Sequence, residues 1–405
     1  MKTSRRRPAW VHALGIAVLG WCASAAAQFV PAEVPATANR RILDPEFNRL
    51  KGLFTWVDIF DGSIWMGRVD PATGAFLPDD GKHALIEKRA VPIGGMGFTF
   101  NGPEWVLGAQ GDAVVYTRYS KGKPPTPSNA QIAVLQQDQG ANWVVRTLAS
   151  GRPLNAPFGS DWVADPKPRI SYNDVQGYHY WRELNDPATE EMLPGLVPGL
   201  KPAVRHVKGP DEHALVYPVP VDGVPQVHRY SVDTKVFEQL TFDAGAKEQP
   251  WMWHAPDFGN QLVLLATVDQ TRLVLYRQTL APQGGVRWTP AHTVIAPLAG
   301  RIFSTEPFVY GGKSYAVMMI IVGEYPTSIW LVDFNTAQPI LRRLTPEQPD
   351  RARADPEVFF TDSKGPIVFF SRFDPTKGPQ WLCVPCAEGL YRAETGIPLA
   401  PSGAR

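Results

Sequence analysis

The sequence predicts an all-β fold, a seven-bladed β-propeller of four-stranded antiparallel blades, on two observations. The first is a phrase that recurs seven times: a Pro with an acidic or apolar neighbour, a bend, then β-branched and aromatic residues. It reads Asp44-Pro45-Glu46-Phe47, Gly102-Pro103-Glu104-Trp105, Ala156-Pro157-Phe158, Lys201-Pro202-Ala203-Val204, Ala255-Pro256-Asp257-Phe258, Glu306-Pro307-Phe308 and Asp355-Pro356-Glu357-Val358. Its prolines lie 58, 54, 45, 54, 51 and 49 residues apart, and a period near fifty marks stacked supersecondary units that cannot each bury both faces alone. The second is punctuation: 40 Pro and 35 Gly are spread through the chain at turns instead of pooled in a linker, which fits many short strands. Pro250 competes with Pro256 as the fifth marker and the third unit is weak, so six blades is the alternative count.

Each unit follows one grammar. In the second, Pro103 to Gly108 is a first strand, with Pro where no ladder donor is needed. Gly111-Asp112 turns into a strand from Ala113 to Tyr119, a Pro-rich loop runs from Lys121 to Ser128, and strands follow near Ile132 to Leu135 and Trp143 to Leu148. Four strands make one propeller blade. The first unit repeats the pattern with Leu53 to Ile59, an Asp61-Gly62 hairpin, Ser63 to Val69 and an outer turn from Asp70 to Gly74. The uninterrupted apolar runs Leu262 to Val268, Ala316 to Val322 and Ile367 to Phe370 mark strands covered on both faces. The last unit lacks an outer strand, and Arg40 to Leu43 is the expected replacement that closes the ring and removes its open edges.

Pro103-Glu104-Trp105 with the later Gly-Asp-Ala-Val-Val-Tyr-Thr run, Val227 to Thr234 with Gln239-Leu240-Thr241, and Ile329 to Asp333 with Arg343-Leu344-Thr345 resemble TolB-type propeller repeats. In those repeats a strand ends in an aromatic-X-X-Asp turn and the outer strand closes with Leu-Thr. The resemblance covers nearly the whole chain after its leader, although the usual Ser-Pro-Asp-Gly turn is missing from most units. It implies the propeller fold. The family includes binding proteins, peptidase propellers and pectin-fragment lyases, so it implies no single chemistry.

Residues 1–27 read as a cleaved signal peptide: Lys2 and Arg5 to Arg7 precede an apolar stretch from Trp10 to Trp21, and Ala25-Ala26-Ala27 fits the cleavage site. Trp21 before Cys22 argues against a lipid-attachment signal, and Pro8-Ala9 argues against twin-arginine export. The organisation expected is a leader, an N-terminal segment at 28–43, a propeller at 44–395 and a tail at 396–405, exported to the periplasm or secreted as a monomer. Without the leader, 36 basic residues face 39 acidic ones, a net charge of −3 with His neutral. That balance argues against nucleic acid or an anionic membrane as partner.

Inner strands of a propeller line its axis, so the acids beside the recurring Pro are the candidates for convergence there: Glu46, Glu104, Asp257, Glu306 and Glu357. Such a ring could recognise sugar hydroxyls, hold a cation, or set up an acid and base with pKa values split by repulsion. Bracing the blades is the competing role for residues repeated in several units. Trp251-Met252-Trp253-His254 and His206 depart from the repeat, and aromatic faces beside carboxylates and imidazole suit a sugar or another flat polar ligand. The expected ligand contacts are therefore Glu46, His206, Trp251, Trp253, Asp257 and Glu357, with Glu104, Glu306 and His254 as catalytic candidates. Packing between blades is the alternative for the tryptophans.

His83, His179, His213, His228 and His292 form no metal-spaced pair, and no cofactor is expected, a divalent cation at the axis staying open. Asp58 and Asp61 read as turn residues. Neither a Gly-X-Ser-X-Gly elbow nor a phosphate-cradling loop occurs. Cys383 and Cys386 predict a local disulfide in an exported chain. The preferred function is a small or polymeric ligand, foremost carbohydrate, bound at the channel mouth. The runner-up is a glycoside hydrolase or polysaccharide lyase, and the third reading is a protein-interaction scaffold.

Overall fold

The computed structural model describes residues 29–49, 51–91, 102–109, 111–119, 126–138, 140–160, 165–200, 202–207, 213–281, 284–378 and 380–401. The predicted leader, Cys22 included, and most of the Pro-rich 121–128 loop lie outside them. Pro31–Arg405 forms one compact unit, and Phe29 and Val30 belong to a separate N-terminal unit in which they have no regular structure.

Seven antiparallel sheets follow one another along the chain. Their innermost strands are Ile42–Asn48, Glu104–Val106, Leu154–Gly159, Arg205–His206, Lys247–Ala255, Arg301–Tyr310 and Ala352–Thr361. Most consecutive inner strands are direct neighbours, and the seventh returns to the first, so they encircle an axis. Each pairs with a second strand, which pairs with a third and that with an outer one of two to ten residues; the first blade carries a fifth strand, Ala84–Glu87, and the count of blades is seven. Asp61-Gly62 makes the turn between the first blade's second and third strands: Gly62 takes φ 73° and donates to the Asp58 carbonyl at 2.8 Å. The Asp58 side chain accepts from Phe60 N at 2.8 Å, a turn role as expected.

The continuous apolar strands are covered on both faces by neighbouring blades. Along Gln261–Val268, Val263 and Leu265 pack toward the sixth blade with Met318 and Ile320, while Leu264 and Ala266 pack toward the fourth with Val216. The Leu-Thr closures have an equally direct cause. Leu240 N donates to Val227 O and Leu344 N to Ile329 O, while the Thr241 and Thr345 hydroxyls accept from Val227 N and Ile329 N. Each pair ties an outer strand to the third strand and buries its Leu.

The ring closes through the N-terminal segment, but not by the stretch expected. Val34–Pro35 supplies the missing outer strand of the seventh blade, paired with Tyr391 and Arg392 of Ala387–Glu394. Ile42 and Leu43 instead open the first blade's inner strand, because Leu43 pairs with Val57. Glu33, one residue before the closing strand, accepts from Arg353 Nε and Nη2 at 2.7 and 2.9 Å and from Arg372 Nη1 at 2.8 Å. Arg353 is fully buried and Glu33 nearly so, so this charge-paired latch fastens the first residues of the propeller to its last blade.

Candidate functional site

Five inner strands share a β-bulge that the sequence reading missed. Asp44, Ala156, Gln249, Ser304 and Asp355 all have φ between 43° and 58°, and at each the register with the second strand shifts. A bulge adds an unpaired residue and re-aims the side chain that follows. Two residues after the positive-φ position, ladder pairing resumes at Glu46, Phe158, Trp251, Glu306 and Glu357. Glu104 opens the second blade's ladder opposite Val115, and Arg205 opens the fourth's opposite Val216. One residue per blade thus occupies the same place on the axis.

This register corrects three markers: in the fourth blade the ring residue is Arg205, three residues after Pro202. The fifth blade is marked by Gln249-Pro250-Trp251, since Pro256-Asp257-Phe258 forms a short 3-10 turn at the strand's far end. In the sixth blade Thr305 stands where five of the other blades have Pro, so Glu306 is in phase with the other glutamates.

Around the ring, the seven positions divide into two arcs. Blades six, seven, one and two contribute Glu306, Glu357, Glu46 and Glu104, and the seam between last and first blade runs through the middle of this acidic arc. Blades three, four and five contribute Phe158, Arg205 and Trp251. There the Arg205 guanidinium carbon lies 4.1 Å from the Phe158 ring centroid and 4.7 Å from that of Trp251, a cation held against two aromatic faces. Its Nε has no hydrogen-bond partner.

The acidic arc is electrostatically tense. Burial pushes the Glu46 carboxyl well above the usual range, and repulsion from Glu357, Glu104, Asp355 and Asp44 pushes it further. Burial likewise lifts Asp355 well above its ordinary value, with repulsion from Asp44, Glu357 and Glu306. Asp44 is raised by burial, opposed by hydrogen bonds to Asp355 and from the Gly102 amide. Carboxyls from the first and last blades, Asp44 and Asp355, therefore lie close enough to act on each other. Gly102 makes room for this pair: a Cβ there would fall 1.8 Å from Asp44 Oδ2.

The remaining expected site residues lie elsewhere. Trp253 is 4% exposed within the core between blades five and six, and its indole donates to Ser314 Oγ at 3.3 Å. Asp257 accepts from Ser314 N and Oγ at 2.9 and 2.6 Å, so it braces the same two blades. His254 faces the side of the sheet opposite Trp251 and Trp253, with Nδ1 3.2 Å from the Asn260 carbonyl at the hairpin end. His206 is buried and alternates away from Arg205. The structure thus brings together Glu46, Glu104, Trp251, Glu306 and Glu357, and adds Asp44, Phe158, Arg205 and Asp355. It does not bring Trp253, His254 or Asp257 to the ring. Among the described residues no three His, Cys, Asp or Glu side chains adopt a metal-binding arrangement. Cys383 and Cys386 form a disulfide with Cα atoms 5.0 Å apart, in the loop before the last strand.

No protein-family model and no curated protein matches this chain. Solved propellers resemble it. It is similar to KlAtg21 in a complex with the coiled coil of AgAtg16, at 10% identity over 82% of this chain and 94% of that one, TM-score 0.50. It is also similar to an oligogalacturonate lyase in complex with manganese, at 12% identity over 93% and 95%, TM-score 0.49. TolB from Acinetobacter baumannii is a further neighbour, at 16% identity over 83% and 77%, TM-score 0.37. Likeness at such identity concerns the fold alone.

Proposed function

We propose that this propeller is an exported binding protein whose ligand is a saccharide held at the axial ring. The observation that carries the reading is the ring's composition: four glutamates on one arc, and an arginine between two aromatic side chains on the other. Carboxyls and guanidinium groups hydrogen-bond in pairs to vicinal hydroxyls. Pockets that hold small polar ligands combine apolar walls with a few convergent polar groups, as this ring does. Export rests on the leader pattern at residues 1–27, and no helix among the described residues is long and apolar enough to cross a membrane.

The test is a panel of plant and bacterial saccharides scored by thermal shift and for new reducing ends or unsaturated products. The proposal expects shifts without products, and Glu357→Gln should abolish them. Products would establish the hydrolase or lyase instead. Absence of any shift across the panel would remove the saccharide reading.

A further inference from the structure

We infer that Cys383 and Cys386 form a thiol–disulfide exchange site that passes its disulfide to a polypeptide dithiol, with Cys383 as the sulfur attacked and Cys386 as the leaving group. The inference is independent of the saccharide reading.

The bridge spans Cys383-Val384-Pro385-Cys386, in the loop between the seventh blade's second strand, Gly365–Phe373, and its third, Ala387–Glu394. So short a loop restricts the unfolded chain little, and a disulfide across it adds correspondingly little stability. The loop also has anchors that do not involve sulfur. Asp374 N donates to the Cys386 carbonyl at 2.8 Å and Ala387 N to the Val384 carbonyl at 3.2 Å, while the Asp374 carboxylate caps the following 3-10 turn at Thr376. Opening the bridge therefore leaves the blade's own hydrogen bonds in place.

The two sulfurs stand in different surroundings. Cys386 is fully buried, whereas Cys383 is partly exposed and Pro385 is exposed. Cys386 N donates to Cys383 Sγ at 3.2 Å, while Cys386 Sγ lies 3.3 Å from the Gln380 carbonyl. An amide hydrogen favours negative charge on the sulfur it points at, and a carbonyl favours a sulfur that keeps its proton. In the dithiol form Cys383 is thus the thiolate and Cys386 the thiol, the division that exchange chemistry needs. Gly378 sets backbone alone against both sulfurs, since a Cβ there would fall 2.5 Å from Cys383 Sγ and 3.0 Å from Cys386 Sγ. Trp381 and Leu382, both partly exposed, put apolar side chains immediately before Cys383, with the indole held edge-on against Phe373 at 5.8 Å. Such a flank suits a polypeptide better than a small hydrophilic thiol.

In the exchange, a partner thiolate attacks Cys383 Sγ, the S–S bond breaks, and its electron pair goes to Cys386, which takes up a proton. The partner's second thiolate then attacks the partner sulfur of the mixed disulfide and displaces Cys383 as a thiolate, its own proton passing to water. The partner is oxidised by two electrons and the protein's disulfide is reduced by two.

The experiment mixes the oxidised, folded protein with a reduced synthetic peptide carrying two cysteines, followed by mass spectrometry. The peptide disulfide should form about tenfold faster than with the same concentration of glutathione disulfide, one per protein molecule, and reduced glutathione should open the bridge about tenfold more slowly than the peptide does. In the reduced protein at about pH 6, iodoacetamide should modify Cys383 several-fold faster than Cys386. Cys386→Ser, given the peptide disulfide, should accumulate a mixed disulfide on Cys383, and Cys383→Ser should not; melting verifies that both are folded, and the wild-type rates decide alone should either fail to fold. A bridge that yields to the peptide only after the protein unfolds is structural and overturns the inference. Equal alkylation of the two cysteines overturns the assigned roles, and glutathione reacting as fast as the peptide overturns the polypeptide partner.

Discussion

The N-terminal closing segment is anchored by one carboxylate, and its removal has a calculable effect. The closing strand is two residues long and exposed, and Pro35 has no amide hydrogen to donate. Its few ladder bonds contribute on the order of 1 kcal/mol each. Glu33, by contrast, accepts three hydrogen bonds from Arg353 and Arg372. Glu33→Ala leaves the fully buried Arg353 without its counter-ion, a change that typically costs about 3–5 kcal/mol. With an unfolding entropy of roughly 2 cal/mol/K per residue, this corresponds to a fall in Tm of about 4–6 °C for a chain of this length. Calorimetric melting of the chain from residue 28, its Glu33→Ala variant and a chain starting at residue 37 measures it. Glu33→Ala should account for most of the loss seen on deletion. A Glu33→Ala midpoint within about 1 °C of wild type would show that Gln348 and the Thr327 carbonyl suffice for Arg353, and would refute the latch.

The raised carboxyls make the ring a source of alkaline instability. A folded-state pKa above the unfolded one means that the folded state binds more protons between the two values. Stability is therefore full below the ordinary carboxyl range and declines as pH rises toward the raised value, by about 1.4 kcal/mol for each pH unit that separates the two. Asp355→Asn should accordingly raise the Tm at about pH 8 and lose that advantage near pH 4, as read by melting across pH. Gly102→Ala should destabilise by about 1–3 kcal/mol in denaturant titration, since its Cβ would displace the Asp44 carboxyl. Trp253→Ala should cost about 3–5 kcal/mol of stability through cavity formation while leaving affinity at the ring within a few-fold. Thiol titration of the unfolded, unreduced protein should find almost no free thiol, and reduction should cost at most about 2 kcal/mol because the closed loop is so short.

The blades were legible because their signals are local. Asp-Gly turns, continuous apolar runs and Leu-Thr closures each reflect contacts within a few dozen residues. The ring was legible only in part. Asp44-Pro45-Glu46 and Asp355-Pro356-Glu357 announce it, and Gln249-Pro250-Trp251 carries the same X-Pro-ring order, although Pro256 lies nearer the average spacing. Aligning the units on the residue after Pro would have placed Trp251 and Phe158 together. Arg205 carries no such mark, since its blade has neither the bulge nor a Pro immediately before it. A bulge moves the register by one residue, and that displacement decides which side chain meets the axis. The closing strand was misplaced for a related reason: Glu33 finds Arg353 across 320 residues, and no local pattern reports such a partner.

The most direct test of the account is a crystal structure of the protein with the saccharide that gives the largest thermal shift. The account predicts the ligand on the axis, with hydrogen bonds to Arg205 on one side and to Glu46 or Glu357 on the other. A ligand seated at the far end of the fifth blade beside His254 and Asp257, or on the outer surface, would contradict it.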